Sequence, residues 1–219
     1  MDRNNKLASS LGAFLRALFD LMALNIVWII CCVPVFTFGP ACSALSRALI
    51  RIVRGESTSA VRDFFLSFRR DVGKAVVLGL LGLLGLAIIV SDYLFAVSYE
   101  GAVRTLFLIV AVLAGSIVMS CLSYVFCLHA FYENSIAGHV KNALALASSS
   151  PFETLKIWIC FAVPIAAFLL LPGIAVAYIG FLYILFGMSA PAYFAAKQQV
   201  KVIARFDGTQ KTAAVQTDE

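Results

Sequence analysis

The chain has 219 residues, 62% of them hydrophobic and 13% charged, with a net charge of +5. A soluble domain carries about 25% charged residues, so there are too few charges here to cover a water-facing surface. With a mean hydropathy of +0.94, lipid is the expected solvent for most of the chain. No window reads as a soluble domain. The basic excess reads as cytoplasmic trimming of a membrane protein, and not as a footprint for nucleic acid.

The first apolar run, 11–35, is longer than a signal-peptide core and is interrupted by Arg16, Asp20 and Asn25, so a retained membrane helix is expected. Asp20 and Asn25 are its intramembrane polar residues. Ionisable and polar groups at that depth are functional candidates. Asp20 is expected to face the protein and to pair with an arginine of the next segment. A proton or substrate relay is the sharper alternative.

Residues 34–54 read PVFTFGPACSALSRALIRIVR. Pro34 and Gly39-Pro40 suit a turn. From Pro40 to Arg54 with its lead-in, a helix spans about 25 Å at 1.5 Å per residue. Ser43, Arg47, Arg51 and Arg54 recur on one face, with Leu45, Leu49, Ile52 and Val53 on the other. The arginines fall in the last turns, where they reach headgroups and complement the helix dipole. We read this as a short return helix with its basic end in the cytoplasm. The competing reading is a surface helix, with five crossings and the N-terminus outside.

Gly55 suits the C-cap of that helix, and Ser57, Thr58 and Ser59 suit the N-cap of another. The segment 59–73 then predicts an amphipathic cytoplasmic helix. Val61, Phe64, Phe65, Phe68 and Val72 are placed on one face, and Arg62, Asp63, Arg69 and Arg70 elsewhere. Such a helix rests at the membrane interface or docks a partner. For docking, Phe64, Phe65, Phe68 and Arg69 are the candidates, with Arg47 and Arg51 of the return helix.

Segment 75–97 is expected to lead out and 102–131 to lead back. Gly79, Gly82 and Gly85 predict close helix packing. Ser116, Ser120, Ser123 and Cys127 form a stripe of small residues that suits packing, or alternatively a polar solute path. His129 and Glu133 are too few ligands for a metal. A second cytoplasmic segment covers 133–150. SPFE at 150–153 predicts a helix start, with Ser150 as N-cap and Glu153 closing a capping box. Segment 155–171 leads out, turns at Leu171-Pro172-Gly173, and returns as 174–196, with Pro164 and Pro191 as kink sites. The six cysteines lie in apolar segments and read as packing residues.

The expected fold is therefore all-α: a polytopic transmembrane bundle of about six helices in three hairpins, with a cytoplasmic amphipathic helix. Residues 1–204 form one membrane-embedded domain, 205–219 a flexible cytoplasmic tail, and both termini are cytoplasmic. No nucleophile–base pair, P-loop or dinucleotide motif occurs. An enzyme is not expected, nor a cofactor or a metal.

The stretch LNIVWIICCVPVFTFGPACSALSRALIRIVRGE, followed by FFLSFRRDVGKAVVLG, resembles the YesL family of small bacterial membrane proteins. The resemblance covers roughly residues 11–80. It is carried by Asn25, Trp28, Pro34, Thr37, Gly39, Phe64, Phe65, Phe68 and Arg69. Leu45, Ser46 and Ala48 stand where that family often has tyrosines, and contacts made through those tyrosines do not carry over. The resemblance implies the bacterial cytoplasmic membrane. It further implies an accessory role beside a carbohydrate ABC importer, with the permease subunits as partners. An independent small transporter or channel for a polar solute is the alternative, and a homo-oligomer is compatible with either.

Overall fold

The computed structural model describes residues 2–170 and 174–217. It is all-helical, with no strand among the described residues. Among the described residues, three helices are long and apolar enough to cross a membrane, through Leu15–Cys32, Val72–Ser98 and Gly101–Phe131.

Helix α1 runs Asp2–Cys32, and the chain reverses through a 3-10 turn at Val35–Thr37. The Thr37 hydroxyl anchors this turn through the carbonyls of Cys31 and Pro34. Helix α2 then spans Phe38–Val53. The turn expected at Gly39-Pro40 is thus finished earlier, and both residues lie in the first turn of α2. Proline is accepted there because first-turn N–H groups have no helical partner.

At 16 residues, α2 is about 24 Å long, short of a bilayer's hydrocarbon core. It is the centre of the molecule, packed by α1 before it and by four of the helices that follow it in the chain, the last helix included. Gly39 to Leu45 and Ala48 to Ile50 are all buried. Ser43, expected on a polar face, is buried with them. The small residues Gly39, Ala41, Ala44 and Ala48 are what let neighbouring helices close in around it.

Gly55 ends α2 with a positive φ of 71°. The N–H of Gly55 donates to Ile52 O and that of Glu56 to Arg51 O, a Schellman cap. Helix α3 is Ala60–Phe68, and α4 is Val72–Ser98. The single helix expected over 59–73 is therefore interrupted. Asp71 takes a left-handed φ of 47°, which its short side chain tolerates.

Helix α5, Gly101–Phe131, packs along α4. Gly82 faces Leu122 and Gly85 faces Val118, so the glycine groove is used as expected. Helix α6 is Ile136–Ser149, α7 is Pro151–Leu170, α8 is Ile174–Phe186 and α9 is Ser189–Thr217. The expected turn at Leu171-Pro172-Gly173 lies outside the described residues. The crossing expected as one helix over 174–196 is two helices, broken at Gly187-Met188. Pro191 falls in the first turn of α9, where its missing N–H costs little. Helix α9 continues through Thr217, into the segment expected as a tail.

Candidate functional site

The C-terminal end of α2, together with α3, α6 and the adjoining ends of α4, α5 and α7, brings together a cluster of charged side chains. Arg51 donates to Asp63 Oδ1 at 2.7 Å, and Ser57 Oγ donates to Asp63 Oδ2 at 2.8 Å. Asp63 is buried, so both its oxygens are satisfied by near neighbours in sequence. Ser57 thus serves the Asp63 side chain, and Ser59 holds the N-cap position without a side-chain bond. Arg47 donates to Ala130 O and lies over the Phe131 ring, which Arg54 also faces at 5.2 Å. Arg70 reaches Glu133 at 2.8 Å, and Arg205 reaches Glu153 at 3.2 Å. Glu153 therefore engages α9 where a capping box was expected.

The faces of α3 differ from the expected ones. Phe64 is fully buried and stacks on Phe68 at 6.0 Å, both against the α1/α2 core. Phe65 and Leu66 point outward, 42% and 61% exposed, and Arg62 and Arg69 are exposed beside them. Residues 62, 65, 66 and 69 make one helical face, apolar in the middle and basic at both ends. Of the residues proposed for docking, Phe65 and Arg69 are presented to the surroundings. Phe64 and most of Phe68 belong to the interior, and Arg47 and Arg51 are engaged within the chain.

The intramembrane polar residues also separate. Asn25 is 1% exposed and closes the gap between α8 and α9. Its Nδ2 donates to Tyr183 O at 3.2 Å and Ile184 O at 2.7 Å. Its Oδ1 accepts from Met188 N at 2.9 Å and Ser189 N at 3.0 Å. One amide thereby satisfies carbonyls at the end of one helix and N–H groups at the start of the next. Asp20 is half-buried and, among the described residues, makes no ion pair. The arginines expected to meet it are occupied elsewhere. Ser116 and Ser123 donate back to Leu113 O and Met119 O in their own helix, and Ser120 is half-buried.

Several residues of this arrangement were not singled out from sequence as parts of it. The spacing sets Asp63 off the aromatic face without naming a partner for it, and no motif picks out His139 of α6. His139 meets the His129 ring edge-on at 5.2 Å, and both are buried. Burial pushes the His139 imidazole below its ordinary 6.5, His129 and Lys74 add to this, and Asp71 opposes it. No group of three or more metal-ligating side chains occurs among the described residues. The local signal for Asp63 was available: it follows the capping segment 57–59 and an arginine helix end.

Residues 21–93 match the model of a family described as a protein of unknown function, DUF624. The match takes in the α1–α2 reversal, Asn25, the α2 core, α3 and most of α4. No curated protein and no solved structure matches the chain.

Proposed function

We propose that the chain is a non-enzymatic accessory subunit of a carbohydrate ABC importer, related to YesL proteins and docking a partner through the outward face of α3. In this reading it lies in the bacterial cytoplasmic membrane with six crossings, α2 and α7 to α9 included. The basic end and both termini face the cytoplasm. The observation that carries it is the quartet Arg62, Phe65, Leu66 and Arg69. Two large apolar side chains flanked by exposed arginines are a recognition surface on a helix already tied down by Arg51 and Asp63. The family match over residues 21–93 spans this helix, and the YesL resemblance supplies the importer as the partner.

The alternative, a small transporter acting alone, draws on the intramembrane polar residues. Asn25 is committed to backbone, and Ser116 and Ser123 to their own helix. Asp20 is the residue on which that reading rests. The test is extraction from the native membrane in mild detergent. A stoichiometric permease pair that is lost in the double variant F65S/R69E supports the accessory reading. A lone protein that moves solute in proteoliposomes, and stops when Asp20 becomes Asn, replaces it.

A further inference from the structure

Helix α6 is held to its neighbours unevenly along its length. At its far end Ala143, Leu146 and Ala147 are buried in one core with Tyr124 and Ile157. There the Thr154 hydroxyl donates to Ala147 O at 3.2 Å. The near end has much less. Between residues 132 and 142 only His139 is buried, with Ile136, Gly138 and Val140 half-buried beside it. The Arg70–Glu133 pair tethers the approach to the helix. Its side chains are 45% and 82% exposed, and pairs so exposed contribute little in water.

The contact that closes this end is His139 against His129 of α5, ring edge on ring at 5.2 Å. His129 Nδ1 and His139 Nε2 are each buried without a partner among the described residues. A proton on His139 would stand in the first turn of α6, at the positive end of the helix dipole. It would face His129 and Lys74. The carboxylate that faces it, Asp71, is already paired with Lys74 at 3.1 Å. Arg70, a further cation, lies beside His129. From α7 and α9, which also pack on α6, no described side chain adds charge against His139. Burial sets the largest penalty on the charged ring. Charge is therefore accepted where His139 meets water, and little else buried at this end of α6 resists that move.

We infer that the start of α6 is an acid-released strap: a proton taken up by His139 frees residues 133–142 from α5, while 143–149 stay docked as its hinge. Open, the strap bares His129 and the adjoining end of α5 to water. Local opening of this kind costs less than unfolding because it breaks few apolar contacts. The strap is independent of the α3 docking face, and either can stand without the other.

The test is amide hydrogen exchange of the full chain in detergent, read by mass spectrometry at about pH 7.5 and pH 5.5 and corrected for the intrinsic exchange rate. Exchange over 136–142 should rise about tenfold, the limit for one proton over one pH unit below the ordinary histidine value. Residues 143–149 and α2 should stay protected. His139→Gln should abolish the rise. Should that variant fail to fold, the half-exposed Lys74 supplies another: Lys74→Met removes a cation and releases Asp71 to His139, so the rise should shrink. No rise at the lower pH overturns the strap, as does a rise shared equally by α2, which is general loosening. A rise undiminished in His139→Gln, or in Lys74→Met, overturns the part given to His139.

Discussion

Gly39 in the first turn of α2 lies directly against Gly79 of α4: a Cβ built on Gly79 would stand 2.6 Å from the Gly39 Cα. One built on Gly39 would overlap the Ala75 carbonyl. Both obstacles are backbone, so neither moves aside by changing a rotamer. Gly39→Ala and Gly79→Ala should each cost about 3 kcal/mol, or prevent accumulation of the protein altogether. Gly73, near the start of α4, has open space around it. Gly73→Ala should be neutral or stabilising by about 0.5–1 kcal/mol. Melting of the three variants in one detergent checks the contrast, and equal effects would mean that the crossing is not close.

The Asn25 amide yields a second prediction. Asn25→Ala removes four hydrogen bonds at a site shielded from water. The cost should be about 3 kcal/mol or more. Asn25→Asp keeps an acceptor for Met188 and Ser189 but sets a second oxygen against the carbonyls of Tyr183 and Ile184. It should not rescue. Limited proteolysis near Gly187 reads the loosened break directly, and wild-type resistance in Asn25→Asp would show that the donor half of the amide is dispensable.

Phe64 and Phe65 are adjacent and should behave oppositely. Phe64 is fully buried in the core shared by α1, α2 and α3. Phe64→Ala should cost about 3–5 kcal/mol. Phe65→Ser should leave stability within about 0.5 kcal/mol, as surface changes do, while reducing recovery of the proposed partner. If both variants only unfold the protein, α3 has no outward role.

Asp63 supplies a fourth case. Its side chain is 6% exposed and that of Arg51 is 31%. Asp63→Ala strands Arg51 and Ser57 together, and about 1–3 kcal/mol should be lost once partial exposure is discounted. In a double-mutant cycle, adding Arg51→Ala should cost less in the Asp63→Ala background than in the wild type. Strict additivity would make the pair incidental.

Much of this was legible where one residue type has one physical use. Gly55 had to cap α2, Gly79 and Gly82 had to admit neighbours, and the long apolar runs had to be helices. The α8–α9 break was not legible. The run 174–196 is apolar throughout, and hydropathy carries no information about a missing backbone bond. The cue was a distant one: Asn25 is a polar residue whose partners lie about 160 residues away. The apolar spacing of α3 places Phe64 and Phe65 on one face, and the fold separates them, one buried and one exposed. Adjacent positions diverge by about 100° around a helix, so only one of them can sit at the centre of the core. α2 became the centre of the molecule because its small residues, and not its length, decide how helices crowd around it.

His139 gives the last prediction. Its imidazole is 2% exposed and faces His129 of α5 and Lys74 and Asp71 at the start of α4. Burial is the largest cause of its lowered pKa, and His129 and Lys74 lower it further. The folded state thus prefers the neutral ring, and the unfolded chain binds a proton more readily. The resulting stability is fully present above the unfolded value of 6.5 and is lost as the pH falls below it toward the folded value. Melting temperature should therefore drop between about pH 7.5 and pH 5.5, the range in which histidine titrates. His139→Gln cannot take up the proton, so its melting temperature should fall less over that range. A steeper fall in His139→Gln than in the wild type would mean that His139 is stabilised by protonation, the reverse of what burial among His129 and Lys74 dictates.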